Sequence, residues 1–196
     1  MTVNSDMEGF TMTTQAEYTE LYQKRLAMIE DNPQYTVLAS MNQPMTDGDE
    51  RVTQYIVYTD IKRDDQKRKT ASIFVYTPYK NVDKYGHSKA DYQSQLLFEL
   101  NIWDHAVHIT VLETLGSESR LAFFDYQNLG LAQLAVTALL NLIKKYDVQE
   151  VDGNISSFDR DKFEKITHIF DKFGFTVTTM DAEHGIGKIF KAVQSD

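Results

Sequence analysis

Between Thr13 and Glu30 apolar side chains recur every three to four residues, at Tyr18, Leu21, Tyr22, Met28 and Ile29, with Arg25 on the same stripe. That period belongs to an amphipathic helix, with Thr13 or Thr14 as N-cap and Asn32-Pro33 as its stop. The pattern then turns β-branched and aromatic, predicting strands at Tyr35 to Met41 and, after the turn Asp47-Gly48-Asp49, at Val52 to Ile61. Lys62 to Lys69, a dense run of both charge signs, reads as a solvated hairpin tip, and Thr70 to Thr77 completes the hairpin. Pro78 to Tyr92 mixes Pro, Gly, Asn, Asp and Ser with lysines and tyrosines, and reads as the longest loop, placed to cover a substrate. Gln95 to Trp103 and Ala106 to Leu115 read as two strands, and Arg120 to Tyr126 as another after the turn Gly116-Ser117-Glu118.

The last third returns to helical spacing. Leu131, Leu134, Ala135, Ala138, Leu139, Leu142, Ile143 and Tyr146 make a wide apolar stripe, broadened by Val136 and Leu140, so this helix is expected to be covered on more than one side. Val151, Gly153 and Ile155 alternate as a strand. In the helix that follows, Phe163, Ile166, Phe170 and Phe173 share one face and His168 the other, with Ser156 or Ser157 as cap. Gly174 suits the left-handed position that ends it and folds Phe175 back. A hairpin, Thr176 to Met180 and Lys188 to Val193, closes the chain.

One segment carries candidate chemistry. Tyr126-Gln127-Asn128-Leu129-Gly130-Leu131-Ala132 lies between a strand and the most apolar helix. The first turn of a helix holds backbone N–H groups without helical partners, under a partial positive charge, and therefore suits a phosphate. Gly130 lets an oxygen approach the main chain, and Ala132 keeps the next turn slim. The same spacing also fits a plain helix cap.

The order strand, Gln-x-x-Gly-x-Ala, long helix, strand, the helix Asp161-Lys162-Phe163-Glu164-Lys165-Ile166-Thr167-His168-Ile169-Phe170-Asp171-Lys172-Phe173-Gly174-Phe175, strand, strand resembles the GCN5-related N-acetyltransferase (GNAT) family over about residues 107–193. The resemblance implies one α/β domain, 1–196. Its mixed, mainly antiparallel sheet is flanked by helices, with a divergent, strand-rich part at 1–105 and an acetyl-coenzyme A-binding part at 106–196. It implies that Ala122 and Phe124 lie where a strand splits from its neighbour and offer backbone groups to the pantetheine arm. Gln127, Asn128, Leu129, Gly130, Leu131 and Ala132 would then hold the pyrophosphate, with acetyl-coenzyme A as acyl donor and no metal. A family tyrosine that protonates the leaving thiolate is replaced here by Phe170, expected to be partly exposed beside the cofactor. The resemblance then implies Tyr126 or a loop tyrosine as substitute acid, or a thiolate that leaves unaided, and Glu113 as the base, with Asp125 next; Glu113 and Asp125 also read as ordinary surface carboxylates. The implied activity is N-acetylation of an unidentified amine, either a small molecule or an exposed amino group of a protein. The alternative is a non-catalytic acyl-coenzyme A sensor or protein-binding module.

Composition narrows the partners. A net charge of −9, from 29 acidic against 20 basic residues, argues against a nucleic-acid binder and mildly favours an amine-bearing partner, though it equally serves solubility. Lys67-Arg68-Lys69 is offset by Asp64 and Asp65. The absence of cysteine excludes disulfides and thiolate metal sites and fits a cytoplasmic setting. Met1 to Phe10 lacks the pattern of a signal peptide, and no apolar run is long enough to span a bilayer. His105 and His108 face opposite ways along a strand and cannot chelate one metal together. A homodimer is compatible with these readings.

Overall fold

The computed structural model describes residues 14–46, 48–61, 68–83, 85 and 87–193. Met1 to Phe10, Asp47, Lys62 to Lys67 and the Thr13 cap alternative lie outside what it describes. The first helix, α1 (Gln15–Glu30), starts at Thr14, whose hydroxyl accepts from the Glu17 N–H while Glu17 reaches back to the Thr14 N–H, a complete capping box. Tyr22 and Ile29 are its buried residues. Met28, expected on that face, is 54% exposed, and Leu26 packs inward instead.

Among the described residues eight strands form one sheet: β1 (Thr36–Asn42), β2 (Gln54–Thr59), β3 (Arg68–Tyr76), β4 (Ser94–Asn101), β5 (Ala106–Thr114), β6 (Glu150–Ile155), β7 (Thr176–Asp181) and β8 (Ile186–Ala192). The order is β1-β2-β3-β4-β5-β6-β8-β7, antiparallel throughout except for the β5–β6 pair. That one parallel pair needs a crossover, supplied by α2 (Leu131–Ile143). This is the expected mixed, mainly antiparallel sheet flanked by helices. No strand forms at Arg120 to Tyr126; the chain from Leu115 to Gly130 is a run of turns, and within Arg120 to Tyr126 only Tyr126 is fully buried.

The two sheet faces are dressed differently. On one, α2 packs across β1 to β5, burying Leu131, Ala135, Val136, Leu139, Leu142 and Ile143 against Ile73, Leu96, Phe98, Val107 and Val151. At about 25 cal/mol per Å² of apolar area, this face supplies most of the driving force for folding. α3 (Phe163–Lys172) joins it, with Phe170 and Phe175 in the same core. On the other face α1 covers β1 and β2, closing a smaller core of Tyr22, Ile29, Ile56, Tyr58 and Tyr76. No helix among the described residues covers that second face over β5, β6 and β8, where Phe190 and Val111 stand exposed.

The end of α3 matches its sequence reading. Gly174 is left-handed (φ +73°), its N–H donates to Asp171 O, and Phe175 N–H donates to Phe170 O at 3.1 Å. The rings of Phe170 and Phe175 meet edge-to-face at 5.1 Å, the hydrophobic clasp of a Schellman ending. The start differs. A 3₁₀ turn (Ser157–Lys162) precedes α3, and Lys162 caps it without a side-chain bond, so neither Ser156 nor Ser157 caps the α-helix.

Candidate functional site

The strand split falls one strand earlier than the sequence implied. β5 pairs with β6 only from Ala106↔Glu150 to Ile109↔Gly153, yet β5 runs on to Thr114 and β6 to Ile155, still paired with β8. Beyond Ile109 the two strands part. Thr110 is an extra residue in β5, because Leu97 opposes Val111 while Phe98 opposes Ile109. Such a bulge bends and twists its strand, here at the apex of the split. Gly153 sits at that apex for a packing reason: a Cβ there would stand 2.9 Å from Ile109 O and 3.1 Å from the Ile189 side chain. Any side chain would push β5 and β6 apart.

The split opens into a cavity of about 510 Å³, lined by β5 from Ile109 to Thr114, by Asn154, Ile155 and Ser156, by the start of α2 and by α3. Past Ile109, β5 has no β6 partner, so its main-chain groups on that side face the slot. Ala122 and Phe124, assigned to this role from the sequence, are not among the lining residues; Phe124 stacks edge-on against Tyr79 and Tyr126 instead. Their segment forms turns, so it has no strand edge to offer.

At the wide end stands the start of α2. Asn128 (φ +75°) and Gly130 (φ +82°) are both left-handed, and this bends the chain so that the first turn faces the cavity. Gly130 caps the helix with no side-chain bond. The first helical bond is Leu134 N–H to Gly130 O, so the N–H groups of Leu131, Ala132 and Gln133 precede the ladder, and no hydrogen bond among the described residues takes them. Gln127, Asn128, Gly130, Leu131 and Ala132 line the cavity. Leu129 does not: it packs on the core and its carbonyl accepts from Val52 N–H at 3.0 Å.

Cations surround this turn in a chain that is acidic overall. Lys165 Nζ lies 3.5 Å from Gln127 Oε1, Lys172 Nζ 3.2 Å from Gln133 Oε1, and the Arg51 stem about 3.8 Å from where a Gly130 Cβ would stand. Lys162 lines the cavity and pairs with Glu118 at 3.3 Å. Glu118 also accepts from Gln127 Nε2 at 3.4 Å, and its carboxyl is held below the usual range by its own backbone N–H and then by Lys162. Sequence reasoning missed Arg51 and Glu118, because only the fold carries them to this turn.

The remaining expected residues separate. Glu113 is exposed on the slot wall, its side chain on the helix-free face opposite Gln95. Asp125 accepts from Gln127 N–H at 2.9 Å, as a turn residue does. Tyr126 is fully buried, its hydroxyl donates to Tyr79 O at 3.0 Å, and burial pushes its ionisation well above the ordinary tyrosine range. Phe170 is only 2% exposed, so the expected partial exposure is not found, although the residue lines the cavity; its ring belongs to the Phe175 clasp. His105 lies in the β4–β5 turn beside Asp147, whereas His108 pairs with Asp152. Among the described residues no group of three or more metal-binding side chains exists. Nor does any described helix have the length and apolarity to cross a membrane.

No protein-family model matches the chain, and no curated protein matches it in sequence. Solved structures similar to it include an acetyltransferase from Bacillus cereus ATCC 14579, at 13% identity over 96% of this chain and 100% of that one (TM-score 0.42). Another is an acetyltransferase of the GNAT family from Staphylococcus aureus Mu50, at 7% identity over 64% and 68% (TM-score 0.42). A third is the PaiA N-acetyltransferase of Thermoplasma acidophilum in complex with coenzyme A, at 13% identity over 63% and 61% (TM-score 0.42).

Proposed function

We propose that this chain transfers an acetyl group from acetyl-coenzyme A to an amine. The observation that carries the reading is the slot between β5 and β6, with the unpaired first turn of α2 and its cations at the wide end. The fit to coenzyme A is chemical at both ends. Main-chain N–H groups of Leu131, Ala132 and Gln133, with Lys162 and Lys165 alongside, suit a pyrophosphate. Along the slot, the main chain of β5 from Thr110 onward offers ladder groups that β6 leaves open, which suits the amides of an extended arm. Five residues of strand span about 16 Å, so the arm would run from the cradle to the apex.

When bound, acetyl-coenzyme A supplies the activated acyl group as a thioester. The protein's part is to grip the phosphates, orient the arm and admit the acceptor. The exposed carboxylate of Glu113 attracts a protonated amine towards the slot. Isothermal titration with coenzyme A checks the binding half: binding that Gly130→Glu weakens at least about tenfold is the expected result, and no heat at millimolar ligand with the wild type overturns the reading. A second reading, a non-catalytic acyl-coenzyme A sensor, draws on two observations. Of the two positions considered for protonating the thiolate, both of which line the cavity, Phe170 has no proton to give and the Tyr126 hydroxyl is committed to Tyr79 O. Tight binding without turnover across a panel of amines favours that second reading.

A further inference from the structure

We propose that His108, oriented by Asp152, is the base that takes the proton from the attacking amine; this rests on the acetyl-transfer reading above. The placement comes from strand register. His108 opposes Asp152 across the β5–β6 ladder, and the next pair, Ile109↔Gly153, is the last before the strands part. His108 is therefore one residue from the apex of the slot, about 3.3 Å along the strand. Val107 and Ile109 are buried towards α2, so alternation puts the imidazole on the opposite, helix-free face. Asp152 shares that face, between buried Val151 and Gly153.

The slot opens on both faces. Leu112 and Thr114 line it with side chains on the α2 face, Val111 and Glu113 with side chains on the other. An arm laid along β5 from the cradle brings its acyl end to the apex, where the helix-free side is open to an incoming amine. Glu113 stands four residues from Ile109, towards the wide end, so the acyl carbon lies nearer His108 than Glu113.

The dyad suits a base. His108 Nδ1 is hydrogen-bonded to Asp152 Oδ1, and because a carboxylate accepts, the neutral imidazole in this pair holds its hydrogen on Nδ1 and turns the Nε2 lone pair away from Asp152. Both side chains stay partly open to solvent, 39% and 51% exposed. The neighbours on this face are Glu99 of β4, opposite His108, and Glu150 of β6; Phe190 of β8 opposes Asp152, and Lys188 opposes Asn154. Asp152 is a positioning residue that fixes the tautomer. In the step itself the amine nitrogen forms a bond to the acyl carbon and the carbon–sulfur bond breaks, its electron pair leaving on sulfur. The nitrogen's surplus proton passes to Nε2, and the sulfur takes up one proton from the imidazolium or solvent, giving an amide and a free thiol.

The test starts from wild-type binding of coenzyme A by titration, because absence of heat there sinks the acetyl-transfer reading itself. With binding established, imidazole NMR is expected to show His108 protonated on Nδ1. Acetyl-coenzyme A is expected to shift that ring, and the adenosine bisphosphate portion, which lacks the arm, to leave it still. His108→Asn keeps an amide donor towards Asp152 and removes the base. It is expected to lower turnover of any accepted amine about a hundredfold or more with coenzyme A affinity unchanged. His105→Gln, in the β4–β5 turn, serves as the unaffected control, and Asp152→Asn is expected to disturb the His108 tautomer. The inference falls if acetyl-coenzyme A binds without moving the His108 ring, or if His108→Asn turns over as wild type. A loss caused by Glu113→Gln and not by His108→Asn also overturns it. Should no amine be turned over, the ring shift decides.

Discussion

Gly130 meets two demands at once. Its φ of +82° excludes an unstrained L side chain, while the space around it is open, the Arg51 stem being the nearest group, 3.8 Å from where a Cβ would stand. Gly130→Ala is therefore expected to cost about 1 kcal/mol of stability through backbone strain and to leave coenzyme A affinity within a few-fold. Gly130→Glu adds a carboxylate beside Arg51, where it competes with the phosphate for the same cations. Affinity should fall at least about tenfold, roughly 1.4 kcal/mol, in a folded protein. Titration beside thermal melting separates the two, and equal affinity for wild type and Gly130→Glu would reduce the motif to a cap. Phe170 shows the opposite balance. Its ring packs on Phe175 at the buried floor of the cavity, so Phe170→Tyr places a hydroxyl there with no described partner and is expected to cost about 1 to 3 kcal/mol, read as a lower melting temperature with no gain in turnover.

At the scale of elements, the turn after β5 and the start of α3 meet over the cradle through Glu118, Lys162 and Gln127. Glu118 is an internal anion on the cations that a phosphate would use. Glu118→Gln is therefore expected to raise coenzyme A affinity by no more than about two- to fivefold, because an exposed ion pair is weak, and raised salt should erase the gain. Weaker binding by the variant would show that Glu118 positions the turn instead. Helix identity was legible because each helix repeats an apolar period that only one secondary structure satisfies: the stripe of α2 and the Phe-x-x-Ile-x-x-x-Phe face of α3 both pack as spaced. The strand expected at Arg120 to Tyr126 failed because short apolar runs do not distinguish a strand from a turn whose side chains pack one by one.

Across the molecule, tyrosines give the stability a clear alkaline limit. Burial raises the ionisation of Tyr58 to about 12, and raises Tyr76 and Tyr126 as well. The unfolded chain ionises these groups near 10, so the folded state holds protons that the unfolded state has lost, and stability falls as pH rises from about 10 through the folded values. Each such group contributes a slope of up to about 1.4 kcal/mol per pH unit in that window and nothing below it. Urea midpoints measured from neutral pH upward should stay level and then drop above about 10, together with the appearance of tyrosinate absorbance. A midpoint unchanged at pH 11 would mean that these hydroxyls ionise without unfolding.

The sequence by itself determined what depends on neighbours along the chain: the helix stripes, a threonine cap at Thr13 or Thr14, the left-handed Gly174 ending and the glycine turn before α2. Local sterics and periodicity decide these, and no distant partner can change them. Only the tertiary structure decided where the sheet splits, that Arg51 and Glu118 reach the cradle, and that Phe170 is buried. It alone set His108 beside Asp152, 44 residues away along the chain, one ladder pair short of the apex of the slot. Each of these depends on strand register and on long-range pairing, where a shift of one residue sends every side chain to the other face, and no local pattern records which register was chosen.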